Sequence, residues 1–430
     1  MTLPVIGFAG LTHLGLVSAV GTAFKGFRVV GYDADAVRVR EITDGRMPVV
    51  EPDLDDLART CAARLSYTAR RTDLRACDIV YISSDVPTND RGESDVSGIR
   101  GLIADVIPAL ASHAVLVVLC QVSPGFTRGL PLSPERLFYQ VETLVFGRAV
   151  ERATKPERFI IGCADPARPL PEAYAAFLDA FGCPLLPMRY ESAELAKIAI
   201  NCCLVASVSV ANTLAELSER IGADWSEIAP ALRLDRRIGA YSYLAPGLGI
   251  AGGNLERDLA TVLRLSEATG SEASVIASFV RNSRHRKDWA LRIVHREVLA
   301  RKPNATFGVL GLAYKENTHS TKNSPSLSLI EQLKPWPVRV YDPVVPASVA
   351  AHPAVTAAPT ALEAARGSDA LMIMTPWPEF RALVASELAA AMAGTAVIDP
   401  FRVLDPAAVR TAGLNHFTLG VSTTVSGSAQ

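Results

Sequence analysis

Short apolar runs alternate with helix-like segments along the first 185 residues of the chain, and the same pattern returns after Pro303. Apolar runs of this length, separated by helical patterns, are typical of buried strands joined by crossover helices. Such strands form parallel sheets that carry helices on both faces. The strand candidates are residues 5–9, 27–32, 79–83, 114–120 and 158–162 in the first stretch, and 306–312, 338–341, 370–374 and 396–398 in the second.

The middle of the chain has a different pattern. Apolar residues recur at helical spacing through residues 193–221 and 255–298, and a loop rich in Gly, Tyr and Pro separates them at 239–253. We therefore predict an α/β protein with two Rossmann-like parallel-sheet domains joined by a central long-helix segment. The predicted bounds are 1–188, 189–300 and 301–421, followed by a disordered tail at 422–430.

Charge and cysteine content exclude several classes of protein. Lys and Arg (43) nearly balance Asp and Glu (44), so no basic surface for nucleic acid or an anionic membrane is expected. The apolar start at 3–24 lacks a basic region before it and is interrupted by Thr12 and His13, which argues against a signal peptide. No other segment is expected to be long and apolar enough to span a bilayer. Seven cysteines without a Cys-x-x-Cys spacing fit a reduced, cytoplasmic protein with no metal site.

A glycine loop follows the first predicted strand. Gly10 and Gly15 flank Thr12, His13 and Leu14, and the next strand ends at Asp33. In dinucleotide-binding folds such a loop makes a tight turn and presents a helix N-terminus to a pyrophosphate. An acidic residue at the end of the second strand binds the adenosine ribose and favours NAD over NADP. The second glycine of that fingerprint is Thr12 here, so one of its elements is missing.

Several further motifs are spread in order along the chain. Val86-Pro-Thr88 follows a strand, Ser123-Pro124-Gly125 forms a turn, and Glu194, Lys197 and Asn201 are spaced along the long helix. Other segments follow downstream, namely Asp235-x-Arg237-Ile238-Gly239, Gly252-Gly253, Gly311-Leu-Ala-Tyr-Lys315, Ser324-Pro325, Tyr341-Asp342-Pro343 and Asp399-x-x-Arg402. Their order and spacing resemble the UDP-glucose/GDP-mannose dehydrogenase family over nearly the whole chain.

The resemblance implies NAD as cofactor, a nucleotide sugar or nucleoside as substrate, and a homodimer formed through the long helix. It implies cofactor contacts from Val86, Thr88, Gln121 and Lys322 beside the glycine loop. It also implies that the substrate is bound by Glu142, Lys197, Arg237, Tyr241, Tyr243, Gly249, Gly253, Arg284, Lys315 and Arg402. Members of the family oxidise an alcohol twice, through an aldehyde to an acid, using a cysteine that forms a thiohemiacetal and then a thioester.

This chain departs from the family where that chemistry takes place. When the final aspartate is matched, the family motif Gly-Gly-x-Cys-x-x-Lys-Asp aligns with Ala251-Gly252-Gly253-Asn254-Leu-Glu-Arg257-Asp258, so Asn254 takes the place of the cysteine. An amide is not a covalent nucleophile. Phe146 replaces a glutamate that lies near the catalytic water, and Gln121 replaces a threonine that contacts the cofactor. These departures predict that thioester hydrolysis has been lost.

The residues that remain suit a single hydride transfer. Lys197 and Asn201 are four residues apart, so they share one helix face. A lysine withdrawn from water can accept an alcohol proton, and an asparagine amide can hold the oxyanion or a water. Asp258 either orients Lys197 or a water, or caps a helix, and Glu142 and Asn254 complete the catalytic candidates.

Three functions stay open on the sequence alone. The favoured one is an NAD-dependent oxidoreductase that makes a ketone or aldehyde, or returns the hydride and so acts as an NAD-assisted epimerase. The second is a 6-dehydrogenase that makes the uronic acid by a non-cysteine route. Substitution of the missing cysteine by another thiol is a separate possibility, for which the candidates are Cys120, Cys202 and Cys203. The third is a non-catalytic nucleotide-binding relative, which the changes at Thr12, Gln121 and Phe146 favour and the Lys197–Asn201 pair opposes.

Overall fold

The computed structural model describes residues 3–89 and 92–422. The chain divides into two compact units, Met1–Ile200 and Asn201–Gln430. The predicted division into three parts at residues 188 and 300 is not tested by these units and stays a prediction. Residues 423–430, which make up nearly all of the predicted disordered tail, lie outside the described residues.

The first unit is built on an eight-stranded sheet with the order β3-β2-β1-β4-β5-β6-β7-β8. Neighbouring strands are parallel except β6 and β7, which pair antiparallel. The central strands β4 and β5 are buried along their whole length, as expected for a sheet covered on both faces. The strands are β1 (Val5–Ala9), β2 (Arg28–Tyr32), β3 (Leu65–Thr68), β4 (Ile79–Ile82), β5 (Val115–Val118), β6 (Leu137–Gln140), β7 (Phe159–Cys163) and β8 (Leu185–Arg189).

The second unit contains a six-stranded sheet in which all neighbouring strands are parallel, in the order β11-β10-β9-β12-β13-β14. The predicted fold class, α/β with two parallel-sheet domains and a long central helix, is confirmed. In each sheet the order reverses beside the first strand, and such switch points are where α/β sheets bind ligands. The strands are β9 (Phe307–Leu310), β10 (Val338–Tyr341), β11 (Val355–Ala357), β12 (Ala370–Ile373), β13 (Ala396–Ile398) and β14 (Asn415–Phe417).

Fifteen α-helices accompany the two sheets within the described residues. The predicted helical pattern at 255–298 is divided among three helices. The first of them, α9, ends where Gly270 adopts a left-handed φ of 71°. The helices are α1 (His13–Phe24), α2 (Ala36–Thr43), α3 (Leu54–Thr60), α4 (Ser97–Val106), α5 (Ala149–Thr154), α6 (Glu172–Asp179), α7 (Tyr190–Ile221), α8 (Trp225–Leu234), α9 (Asn254–Thr269), α10 (Ser274–Lys287), α11 (Trp289–Ile293), α12 (Pro325–Gln332), α13 (Ala361–Ala365), α14 (Ala385–Ala391) and α15 (Pro406–Thr411).

The 32-residue helix α7 corrects one expectation from the sequence. By length and composition it is long and apolar enough to cross a membrane, so the expectation that no such segment exists was wrong. The core helix of a water-soluble protein meets the same criterion, because it too must bury apolar side chains along its length. The boundary between the two units falls inside this helix, between Ile200 and Asn201.

Candidate active site

The glycine loop joins β1 to α1 at the switch point of the first sheet. Gly10 has a φ of 94°, and a Cβ on it would lie 2.7 Å from the Cβ of Ser84. A Cβ on Gly15 would lie 1.8 Å from the carbonyl oxygen of Gly10. Both positions therefore require glycine, and together they let α1 start close against the end of β1. This close approach is what a dinucleotide phosphate needs at a helix N-terminus.

Asp33 stands just after β2 and its carboxylate is held in place by three donors. It accepts hydrogen bonds from the backbone N–H of Leu11 (2.9 Å) and of Asp35 (3.0 Å). The third donor is the guanidinium of Arg38, at 2.8 Å from Oδ2. Sequence reasoning identified Asp33 but missed Arg38. The signal for it was Asp35, which caps α2 and so places Arg38 in the first turn of that helix, facing back toward β2.

Thr12, which departs from the glycine fingerprint, and the adjacent His13 contact neighbouring elements of the same unit. The Thr12 hydroxyl accepts a hydrogen bond of 2.8 Å from the backbone N–H of Asp85, in the loop after β4. His13 lies 3.0 Å from the buried carboxylate of Glu51. Its ring stacks on Phe146 with the centroids 4.2 Å apart. Phe146, which the sequence comparison predicts to stand in place of a family glutamate, thus packs on the first residue of α1.

The remaining predicted cofactor contacts lie in loops around this helix end. Val86 and Thr88 follow β4, where Thr88 forms an isolated antiparallel bridge with Ser94. Gln121 lies three residues after β5, beside the turn that contains Gly125. That turn is held by buried Glu194, which accepts hydrogen bonds from the backbone N–H groups of Gly125 (2.6 Å) and Thr127 (2.8 Å). The glycine loop, Asp33 and these loops fit a dinucleotide. Lys322, the last predicted contact, belongs to the second unit.

Lys197 forms an ion pair with Glu142 inside the first unit. Its Nζ lies 2.9 Å from Oε2 of Glu142 and donates a 3.0 Å hydrogen bond to the backbone carbonyl of the same residue. The two side chains are only 12% and 17% exposed. The expectation that Lys197 is withdrawn from water is consistent with this burial. The pair joins α7 to the segment that follows β6.

Asn201, Asn254 and Asp258 belong to the second unit. The Asn201 Nδ2 donates a 2.5 Å hydrogen bond to Oδ2 of Asp258, and both residues are buried. Arg257 Nε lies 3.4 Å from the other carboxylate oxygen of Asp258. Asn254 is exposed at the first position of α9, with Gly253 as its N-cap, and Asp258 follows one turn later. Contacts with Asn201 and Arg257 were not among the predicted roles of Asp258, which were to orient Lys197 or a water or to cap a helix.

The cysteines differ in how far they are buried. Cys61, Cys77, Cys120 and Cys163 are buried, and burial raises the pKa of each of these thiols. Cys202 packs against the apolar cluster of Val205, Ile250 and Leu259. Burial and the nearby Asp258 charge raise its pKa to about 11. Cys203 is exposed on α7.

The predicted substrate loop between α8 and α9 has exposed tyrosines in its first half and buried residues in its second half, such as Leu248 and Ile250. Tyr241 is 96% exposed and Tyr243 is 48% exposed. Arg237 is exposed and pairs with Asp235 two residues earlier, while Arg284 is exposed on α10. Gly249 packs tightly, since a Cβ there would lie 2.4 Å from the carbonyl oxygen of Ser283. The structure therefore does not gather these side chains around one cavity.

The two basic residues predicted to hold the nucleotide lie after strands of the second sheet. Lys315 follows β9, with its Nζ 5.8 Å from the ring centroid of Tyr314. Arg402 follows β13 and donates hydrogen bonds to Ser226 (2.8 Å) and Asp224 (3.3 Å), at the start of α8. Arg402 must exchange these partners for a nucleotide if it binds one.

Comparisons with known proteins agree with this geometry. Three domain models of the UDP-glucose/GDP-mannose dehydrogenase family match the chain: the NAD binding domain at residues 4–177, the central domain at 191–284 and the UDP binding domain at 308–406. A UDP-glucose 6-dehydrogenase of Pseudomonas aeruginosa is 30% identical, over 98% of this chain and 97% of that protein. UDP-glucose 6-dehydrogenase TuaD of Bacillus subtilis is 28% identical, over 96% and 93%.

A solved structure extends the likeness to three dimensions. The UDP-glucose dehydrogenase from the hyperthermophilic archaeon Pyrobaculum islandicum superposes with a TM-score of 0.84 at 26% identity, and the match covers 98% of each chain. The chain therefore belongs to the UDP-glucose/GDP-mannose dehydrogenase family of nucleotide-sugar dehydrogenases, and its cofactor is NAD.

Proposed function

We propose that this protein removes one hydride from an alcohol carbon of a nucleotide sugar or nucleoside and releases a ketone or aldehyde, without a covalent intermediate on the protein. The residue that carries the proposal is Asn254 at the first position of α9, which the motif alignment matches to the cysteine of the family. An amide at that position does not form a thiohemiacetal. The second oxidation of the family needs that thiohemiacetal, so it has no enzyme-bound intermediate here.

The oxidation releases a hydride from carbon and a proton from oxygen. NAD, when bound, accepts the hydride. We assign the proton to the Lys197–Glu142 pair, whose carboxylate can hold it while the lysine stays an ammonium. Asn201, one helical turn from Lys197 on α7, binds the alcohol oxygen and is oriented by Asp258.

No other cysteine takes the place of the missing nucleophile in this proposal. The thiolate is the reactive form of a cysteine, and burial keeps Cys120 and Cys202 protonated. The same alignment places Phe146 where the family has the carboxylate that handles water. The ring of Phe146 stacks on His13. Both changes favour release of the first oxidation product.

The cofactor contacts that we propose are Asp33, Val86, Thr88, Gln121 and Lys322 beside the glycine loop. For the substrate we propose Arg237, Tyr241, Tyr243, Gly249, Gly253, Arg284, Lys315 and Arg402. Since the relatives are named for UDP-glucose, a UDP-hexose is the first substrate to test. The same names favour a second candidate function, in which the product is the uronic acid.

We also propose a cytoplasmic homodimer formed through α7. Val210, Leu214, Leu217 and Ile221 are exposed and recur every three or four residues, so they form an apolar stripe on one face of this helix. A second copy of the chain that packs on this stripe would bury it. Light scattering on the purified protein tests this assignment, which a monomer would contradict.

A panel of nucleotide sugars and nucleosides, incubated with NAD and analysed by mass spectrometry, tests the proposed reaction. The expected product is lighter than its substrate by two hydrogens. A product that has also gained an oxygen would establish the acid-forming reaction. An isomer of unchanged mass would establish epimerisation, and binding without turnover would establish a non-catalytic protein.

A further inference from the structure

We propose that Glu256 is a positioning residue that fixes the glycine turn in front of Asn254. The inference rests on the proposed function in one respect, the place of Asn254 in the reaction site. Glu256 lies in the first turn of α9, two residues after Asn254, and its carboxylate contacts two other segments of the second unit.

Glu256 joins the ends of two helices and a loop. Its Oε1 accepts a 2.8 Å hydrogen bond from Nζ of Lys287, the last residue of α10. Its Oε2 accepts a hydrogen bond from the side-chain amide of Asn323, in the loop before α12. The carboxylate is about one-third exposed and the lysine about one-fifth, so the pair is partly shielded from water.

Asn323, which contacts Glu256, also forms a hydrogen bond with the backbone of Gly252. Its Nδ2 also donates a 2.8 Å hydrogen bond to the carbonyl oxygen of Gly252, while the N–H of Gly252 donates to the carbonyl of Lys322 at 3.0 Å. Both backbone hydrogen-bonding groups of Gly252 are therefore used by two consecutive residues. Asn323 has a φ of 52°, a left-handed conformation that asparagine tolerates better than most residues.

Gly252 is also fixed from its other side. It has a φ of 77°, and a Cβ on it would lie 3.1 Å from the ring of Tyr314. Gly253 follows as the N-cap of α9, and Asn254 is the first helical residue. Lys322, Asn323 and Tyr314 thus hold the turn that precedes Asn254 through two hydrogen bonds and a packing contact. The position of Asn254 relative to the Asn201–Asp258 pair depends on this turn. The carboxylate of Glu256 orients the Asn323 amide that donates one of the two hydrogen bonds.

Removal of that carboxylate frees the Asn323 amide to rotate and loosens the turn. Groups that hold a reacting centre lose much of their effect when misplaced by about 1 Å, roughly 100-fold in rate at the upper end. Because Glu256 supports the turn rather than the substrate, its loss lowers the rate of the hydride step more than it weakens substrate binding. Glu256→Gln keeps an acceptor oxygen for Asn323, so it retains most of the wild-type rate.

Two readouts on Glu256→Ala, Glu256→Gln and Asn323→Ala test the inference in the full-length protein. Hydrogen exchange of the Gly252 and Asn254 amides is measured without substrate, and the hydride step is followed by single-turnover formation of NADH. Glu331→Ala is the matched control, because Glu331 forms a similar Glu–Lys pair with Lys334 on the surface. Glu256→Ala and Asn323→Ala are expected to speed exchange locally and to slow the hydride step about tenfold, with KM nearly unchanged and Glu256→Gln close to wild type.

Wild-type exchange at Gly252 and Asn254 in Glu256→Ala would overturn the inference. So would a uniform increase of exchange across the strands of both sheets, which indicates a general loss of stability. The exchange readout needs no turnover, so it decides the role of Glu256 even in a protein that proves inactive. The proposed function is judged separately, by the products of the wild-type protein.

Discussion

The side-chain amide of Asn201 donates a 2.5 Å hydrogen bond to the carboxylate of Asp258, which also lies 3.4 Å from the guanidinium of Arg257. These three side chains are buried, so the charge of Asp258 sits where water does not screen it. The carboxylate therefore stabilises the second unit and at the same time orients the amide that we assign to the alcohol oxygen.

Asp258→Asn is expected to destabilise the protein and to reduce turnover. Removal of one charge from a buried ion pair costs about 3–5 kcal/mol. Thermal or urea unfolding measures this loss. Asp44→Asn is the control, since Asp44 and Arg46 form an exposed pair whose loss changes stability by about 0.5 kcal/mol or less. Equal effects of the two variants would contradict the assigned role of Asp258.

Lys197→Met and Glu142→Gln are expected to lower kcat by roughly 10²- to 10⁴-fold, the usual contribution of general acid–base catalysis. Both variants remove the pair that takes up the alcohol proton. Steady-state NADH formation measures the change, and a far-ultraviolet CD spectrum verifies the fold. Lys334→Met, at an exposed lysine paired with Glu331, should keep wild-type activity. Retention of full activity by Lys197→Met would remove Lys197 from the reaction.

Gly15→Ala is expected to abolish NAD binding, because the added Cβ would lie 1.8 Å from the carbonyl oxygen of Gly10. The start of α1 must then move away from β1. Gly101→Ala is the matched control on α4, where a Cβ meets no atom within 4 Å. This control should bind NAD normally and gain up to about 1 kcal/mol in stability. Calorimetric titration with NAD measures both variants, and normal affinity in Gly15→Ala would contradict the assigned phosphate loop.

Thiol chemistry at Cys202 is expected to depend strongly on pH. Because its pKa is raised to about 11, the thiol stays protonated at neutral pH and reacts only as the pH rises toward that value. Exposed Cys203 should therefore be alkylated first at neutral pH, which mass spectrometry of peptides measures. Cys202→Ser should leave NADH formation unchanged. Loss of activity in that variant would revive Cys202 as a substitute nucleophile.

The fold could be predicted from the sequence because its strands are short, apolar and regularly spaced. Predicted strands 5–9, 338–341 and 396–398 match β1, β10 and β13 in both bounds. The four edge strands β3, β8, β11 and β14 were missed because edge strands are only partly buried, and β8 also contains Pro187. Strand β6 was missed as well, although all four of its residues are buried.

The candidate site could be predicted only in part, because its contacts join segments that are distant in the chain. Spacing alone identified Lys197 and Asn201 on one helix face and Gly10 and Gly15 in one loop. It did not reveal Glu51 beside His13, or Asn323 beside Glu256, which are 38 and 67 residues apart. Nor did spacing show that Arg402 is bound to Asp224, since such pairs depend on how loops fold back.

Asn254→Cys is expected to restore part of the family's covalent chemistry. The new thiol would stand at the first position of α9, where a helix N-terminus favours a thiolate. Incubation with NAD and substrate should then give a protein adduct detectable by intact mass. Acid release should stay slow unless Phe146→Glu is added, because the phenyl ring cannot orient a water. An Asn254→Cys protein that forms neither adduct nor acid would contradict the alignment at Asn254.

The number of NADH molecules formed per molecule of substrate consumed by the wild-type protein tests the central claim most directly. A limiting amount of nucleotide sugar is incubated to completion with excess NAD, and NADH is read by its absorbance while the remaining substrate is measured by chromatography. The account predicts one NADH per substrate and a carbonyl product. Two NADH per substrate would contradict it, because a second oxidation would then take place although we expect Asn254 in place of the family's cysteine.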